Sequence, residues 1–165
     1  DCACGTVPGT SHAWRRPLRG ALNWLAREID ARFETEAATL FDDPWTVRDA
    51  LGGVAGSPAE RREAFATGSV RVQTDAVRAL QLLDAQRARL AMFGSCAWFF
   101  DDVAGHEAVL MLRHAARAID LLGDEQLEGE LLDRLAFAPS NDPAAPDGAA
   151  VYRASVIPAR ERATK

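Results

Sequence analysis

Apolar residues recur at three- and four-residue steps through most of this chain, which is the period of an amphipathic helix. Leu18, Leu22, Leu25, Ile29 and Phe33 form one such stripe. Pro17 opens it in a first helical turn, where the missing N–H costs nothing. Trp14 stands just before the stripe as a staple, and Trp24 lies close to it. Asp43-Pro44 repeats the start signal, with Asp as N-cap and Pro at the first position, for a short helix over 44–51 that ends at Gly52-Gly53. Ser57-Pro58-Ala59-Glu60 is a third start of this kind, for a helix running toward Phe65 and stopping near Gly68.

A longer helix is predicted over 70–92, with Val77, Leu80, Leu83 and Leu90 directed into the core. Gln86, Arg87 and Arg89 interrupt its apolar face near the C-terminal end, where cationic side chains suit the helix dipole. The alternative is that one arginine reaches the acids of the next stretch. Val109, Leu112, Ala116, Ile119 and Leu122 carry another long helix to Gly123, and Leu127, Leu131, Leu132 and Leu135 carry one over 124–137. Pro139, Pro143 and Pro146 force an irregular connection. A short helix over 147–156 and a charged, frayed tail follow. No segment alternates like a strand, and no repeat period is visible. The expected fold is all-α, an antiparallel helical bundle over 17–137, with an irregular arm at 1–16 and an irregular tail with a short helix at 138–165.

Between the two long helices lies the least ordinary stretch, 94–107, which reads Gly-Ser-Cys-Ala-Trp-Phe-Phe-Asp-Asp-Val-Ala-Gly-His-Glu. A plain interhelical loop is short and polar. This one sets rings beside carboxylates, a mixture that suits a binding site with a dry wall and a few oriented acceptors. With Trp98 as a stacking face, it fits a carbohydrate sub-site. A plainer reading makes Trp98, Phe99 and Phe100 core anchors and lets Asp101 and Asp102 cap the next helix. Adjacent helical residues point about 100° apart, so one acid can cap while the other faces a cleft.

Composition narrows the classes. At 165 residues, 48% hydrophobic and 26% charged, the chain is globular and long enough for one real core. Its net charge of -5 disfavours a nucleic-acid partner, and no apolar run is long enough for a membrane span. It begins Asp-Cys-Ala-Cys, with neither an initiating Met nor a leader pattern, and is expected to be a piece of a longer protein. Cys2, Cys4 and Cys96 are too few for a disulfide scaffold, so a reducing cytoplasm is expected. Cys2 and Cys4 would need Cys96 and one of His12, His106 or His114 to close a zinc site. His106-Glu107 and His114 do not make a metalloprotease motif, because the histidines lie two turns apart on a helix. Ser95 has no strand on which to form a nucleophile elbow. No catalytic residue, cofactor or metal ligand set is assigned.

Several of these residues carry a resemblance. Ser95-Cys96-Ala97-Trp98-Phe99-Phe100-Asp101-Asp102, then Gly105-x-Glu107 and Ala115-Ala116-Arg117-Ala118-Ile119, resemble the helical domain of unknown function 3536. So do Asp1-Cys2-x-Cys4, Trp14-Arg15-x-Pro17-Leu18, Asp43-Pro44-Trp45, Ser140-Asn141, Asp147-Gly148, Tyr152 and Pro158-Ala159, which extends the likeness over almost the whole chain. His106 departs from an expected aliphatic residue, and Ala97 stands where glycine is more usual. The resemblance implies a position C-terminal to a glycoside hydrolase family 57-type barrel. That barrel would carry the two catalytic carboxylates of a retaining mechanism on α-glycosides, about 5–5.5 Å apart. It needs roughly 200 residues or more of its own. The helical domain would be inactive alone, with the barrel and an α-glucan-like carbohydrate as its partners. It would close over the cleft through Ser95, Cys96, Trp98 and Asp101 and, alone, expose one apolar helix face. The alternative is a free-standing helical interaction module with a cysteine-bound metal.

Overall fold

A computed structural model of the chain describes residues 9–52 and 75–163. The expected start at Ser57, the helix toward Phe65, the first residues of the helix over 70–92, and Cys2 and Cys4 lie outside the described residues. Among those described, the fold is an all-α bundle, and the sole extended pairing is an isolated bridge between Pro139 and Asp147.

Helix α1 spans Arg15–Ala37 and begins two residues before Pro17. Pro17 still falls among the first N–H positions, which have no helical acceptor. The predicted stripe is its buried face, with Leu18, Leu22, Leu25, Ile29 and Phe33 fully enclosed. Each such side chain contributes about 2 kcal/mol through area removed from water. Helix α2, Pro44–Gly52, starts where Asp43 predicts: its carboxylate accepts from the Thr46 N–H (3.1 Å) and the Thr46 hydroxyl (2.6 Å). Phe33 meets Trp45 edge-on at 5.0 Å and ties α2 to α1.

Helix α3, Ala76–Ala91, buries Leu83 and packs Leu80 on the core as predicted but turns the other two predicted residues outward. Val77 and Leu90 are exposed, whereas Ala79, Leu82, Leu83, Ala85, Gln86 and Ala88 are buried. The residue that fixes this register is Gln86, which is 0% exposed. Its amide donates to Asp30 of α1 (2.9 Å), and Arg89 donates to the other oxygen of the same carboxylate (2.7 Å). Arg89 thus answers an acid of α1 and not the acids of the central stretch.

Helix α4, His106–Leu122, packs along α3 in the most extensive helix contact of the fold. It ends at Gly123, whose φ of 71° is the left-handed conformation that lets its N–H reach the carbonyls of Ile119 and Asp120. Asp124 then caps α5, Glu125–Leu135, by accepting from the Gln126 N–H. Asp147 caps α6, Gly148–Ser155, by accepting from Ala150 N–H at 2.8 Å. The tail expected to fray instead forms α7, Ile157–Ala163. Arg160 anchors it with two bonds to Glu128 (2.7 and 3.2 Å) and one to Asp120 (3.2 Å). α1 lies against α3, α4 and α5, and α6 bridges α4, α5 and α7.

Exposed large apolar side chains occur on α3, α4, the central stretch and the end of α5, so no single exposed helix face stands out among the described residues. Val77 and Leu90, thirteen positions apart, are separated by roughly 140° around α3.

Two outcomes follow from this packing. Asp30→Ala strands Gln86 and Arg89 together and should lower stability by about 2 kcal/mol, read from the midpoint of a urea unfolding curve. An unchanged midpoint would mean that α3 is held by its alanines and leucines alone. Burial lowers the His114 pKa from the ordinary 6.5, so the folded state favours the neutral ring. That contribution is complete above the unfolded pKa and is lost as pH falls below about 6.5 toward the folded value. Replacement with Gln should therefore flatten the decline of Tm over this interval.

Candidate functional site

The stretch between α3 and α4 forms neither a polar turn nor a simple helix cap. Gly94 leads into a short 3-10 helix, Ser95–Phe99, after which Phe100 is extended (φ -92°, ψ 166°). Asp101 and Asp102 therefore lie off any helix, and neither carboxylate caps α4, whose N-cap is Gly105. Gly105 is required by space, since a Cβ there would come within 2.9 Å of the Asp102 carbonyl oxygen.

Asp102 is an acceptor for three donors. The Ala104 N–H and the Ser140 hydroxyl each approach one oxygen at 2.7 Å, and the Asn141 N–H donates to the other. Asn141 extends the network through its amide. Its Nδ2 donates to the carbonyls of Asp101 (2.8 Å) and Ser11 (3.0 Å), and its Oδ1 accepts from the Ser11 N–H (2.8 Å). From the start of α1, the Trp14 indole N–H donates to the Asp101 carbonyl (3.1 Å) and Arg15 to that of Phe100 (3.3 Å). The residues before α1, the central stretch and the Pro-rich connection are thus joined at one place. The Asp101 carboxylate lies 3.3 Å from His12 Nε2 and keeps a side chain 29% exposed.

The rings divide into two groups. Trp98 stacks on Trp14, with centroids 6.1 Å apart and planes 13° from parallel. The Arg19 guanidinium lies 5.4 Å from the Trp98 centroid and 4.8 Å from that of Phe93. Trp98 is packed against the core, and its Nε1 is buried without a partner, as is Arg15 Nε. Phe99 and Phe100 do the reverse. They are 75% and 46% exposed, so only Trp98 of the three fits the core-anchor reading.

Of the four residues singled out in the sequence, Ser95 and Cys96 are exposed at the start of the 3-10 turn, Trp98 is mostly covered, and Asp101 is paired with His12. Asp101 and Trp98 are linked through Trp14, which stacks on one and donates to the backbone of the other. The structure adds Arg19 and Asn141, which spacing did not mark, and pairs His12, weighed above only as a metal ligand, with Asp101. Their partners lie far along the sequence, and only the Ser140-Asn141 and Trp14-Arg15 pairs of the family resemblance gave any signal. No described His, Cys, Asp or Glu residues cluster in a way that would hold a metal ion.

Away from this stretch, an open groove of about 1100 Å³ runs between α4, α5 and α7 beside Arg113, Arg117, Asp120, Glu128 and Arg160. Burial pushes the Glu128 carboxyl up, but hydrogen bonds from Arg160 and Tyr152 outweigh it and hold the group below its ordinary value. Burial raises the Asp120 carboxyl, and burial together with Glu128 raises the Tyr152 phenol. These groups satisfy one another, and their effect is to fasten α7 to the bundle.

No helix among the described residues is long and apolar enough to cross a membrane. The family model described as Domain of unknown function (DUF3536) matches residues 11–165. No curated protein and no solved structure matches the chain.

Removing the Asp102 carboxylate by substitution with Ala leaves the Asn141 N–H and Ser140 hydroxyl without their acceptor. The expected cost is about 3 kcal/mol in chemical unfolding, with faster hydrogen exchange at the Ala104 and Asn141 amides. Wild-type exchange at both amides would show that the loop is held by its rings instead.

Proposed function

The chain belongs to the family described as Domain of unknown function (DUF3536), and on that premise we propose that it is the helical C-terminal domain of a glycoside hydrolase family 57-type protein. In this role it packs on a catalytic barrel and lines a cleft for α-glucan-like carbohydrate, with no hydrolytic activity of its own. The lining segment is the stretch from Ser95 to Asp102, including Ser95, Cys96, Trp98 and Asp101. A cytoplasmic setting and a retaining, α-specific parent enzyme belong to the same proposal.

The observation that carries it is the exposure of Phe99 and Phe100 on a loop fixed at its base. Two neighbouring phenyl rings in water are unfavourable unless something covers them, and loops with conformations this constrained are suited to binding. The Asp102 and Asn141 bonds immobilise the backbone before any ligand arrives, which reduces the ordering cost of binding. The mixture of exposed rings, a hydroxyl and a partly exposed carboxylate suits a neutral polyol better than a polyanion. Sugar C–H faces lie on rings, and hydroxyls donate to carboxylate. The carboxylates near the loop do not form a hydrolytic pair, since Asp102 is engaged by three donors and Asp101 by His12. The hydrolytic groups are therefore assigned to the barrel.

Titration of the isolated chain with maltoheptaose should perturb its tryptophan fluorescence saturably, while cellohexaose should not, and no reducing ends should be released. Absence of any α-glucan response, or hydrolysis by this chain alone, would sink the proposal.

A further inference from the structure

We infer that Phe99, and not Trp98, is the ring on which carbohydrate stacks at this loop, and that Trp98 is a positioning residue in the same 3-10 turn. The inference rests on the proposed carbohydrate reading and assigns the roles within it.

A stacking ring must offer a bare face. Trp98 has little to offer: Trp14 is stacked with it nearly parallel, and the Arg19 guanidinium lies over its ring. Its polar handle is also unavailable, since Nε1 is buried and no acceptor reaches it. Indole in this setting is a packing element held between a core tryptophan and a cation. Phe99, the next residue, is at the end of the same 3-10 turn and has three-quarters of its surface in water. Phe100, also exposed, has its backbone carbonyl bound by Arg15. Asp101, one residue further on, keeps its carboxylate partly open to receive sugar hydroxyls.

A phenyl ring offers only its apolar faces, with no N–H or O–H of its own. Recognition would therefore come from ring C–H contact plus the neighbouring acceptor at Asp101 and the hydroxyl of Ser95. That combination favours a neutral pyranose face over a charged sugar. The fixed backbone matters because a loop that became ordered only on binding would lose conformational entropy at each event.

The test is NMR titration of the chain, with its phenylalanine rings labelled, against maltoheptaose up to tens of millimolar. There are seven phenylalanines, so assignment by substitution is practical. The Phe99 ring signals should shift saturably. Phe99→Ala should weaken binding about tenfold, and Phe99→Tyr should retain it. Trp98→Phe, which keeps a ring in the stack on Trp14, should leave the Phe99 shifts saturable and weaken binding less than Phe99→Ala does. Binding that survives Phe99→Ala but falls with Trp98→Phe would overturn the assignment and leave the carbohydrate reading standing. No binding by any form would remove both. Concentration-dependent self-association in sedimentation that Phe99→Ala abolishes would also overturn it, assigning the ring to a contact between copies of this chain.

Discussion

The Asp102 carboxylate is the constraint on which the ordered part of this molecule between α3 and α4 depends. A side chain of the loop accepts from its own backbone, from the Ser140 hydroxyl and from the Asn141 N–H, which fixes the turn into α4 and brings the Pro-rich connection alongside. Replacing any of these with water would leave an irregular backbone free to move, because irregular segments lack the repeating bonds of helices and sheets. One carboxylate thus ties two stretches of chain, the turn at Ala104 and the connection at Ser140-Asn141, through three donors.

The bundle beneath follows a different logic. α1, α3, α4 and α5 bury leucines, alanines and aromatic rings, and the one buried polar residue among the described residues, Gln86, selects the face that α3 turns inward. The hydrophobic faces make the fold compact without choosing every register. The Asp30–Gln86–Arg89 cluster makes that choice for α3. The loop makes the parallel choice for the rings: Trp98 goes inward on Trp14, and its two neighbours are left outside.

How much of this was legible in the sequence follows from the range of each interaction. Asp43, Asp124 and Asp147 act on amides two or three residues away, and Gly123 acts on its own backbone, so those helix boundaries could be read locally. The stripe of α1 was equally readable because its period is complete. α3 was misread at Val77 and Leu90, which lie outside, and at Gln86, read as an interruption of the apolar face but fully buried on it among the described residues. The short tail helix was missed because its anchor, Arg160, binds acids on α4 and α5, 40 and 32 positions away. For the loop, the residue types were visible and their roles were not. Asp101 and Asp102 read as caps, or as one cap and one cleft acid; neither caps α4, and His12, Ser140 and Asn141, distant in sequence, join the local Ala104 N–H as their partners. Cys2 and Cys4, which the metal reading needed, are outside the described residues.

The reciprocal bonds between Ser11 and Asn141 join positions 130 residues apart. Contacts of such separation are entropically the dearest to close and gain nothing until the intervening helices have already met. The Ser11–Asn141 closure is therefore expected to follow collapse of the bundle on its local helices. A chain stalled midway would have a helical spectrum and a core but no shaped loop, so helicity is a poor assay for whether this domain has matured.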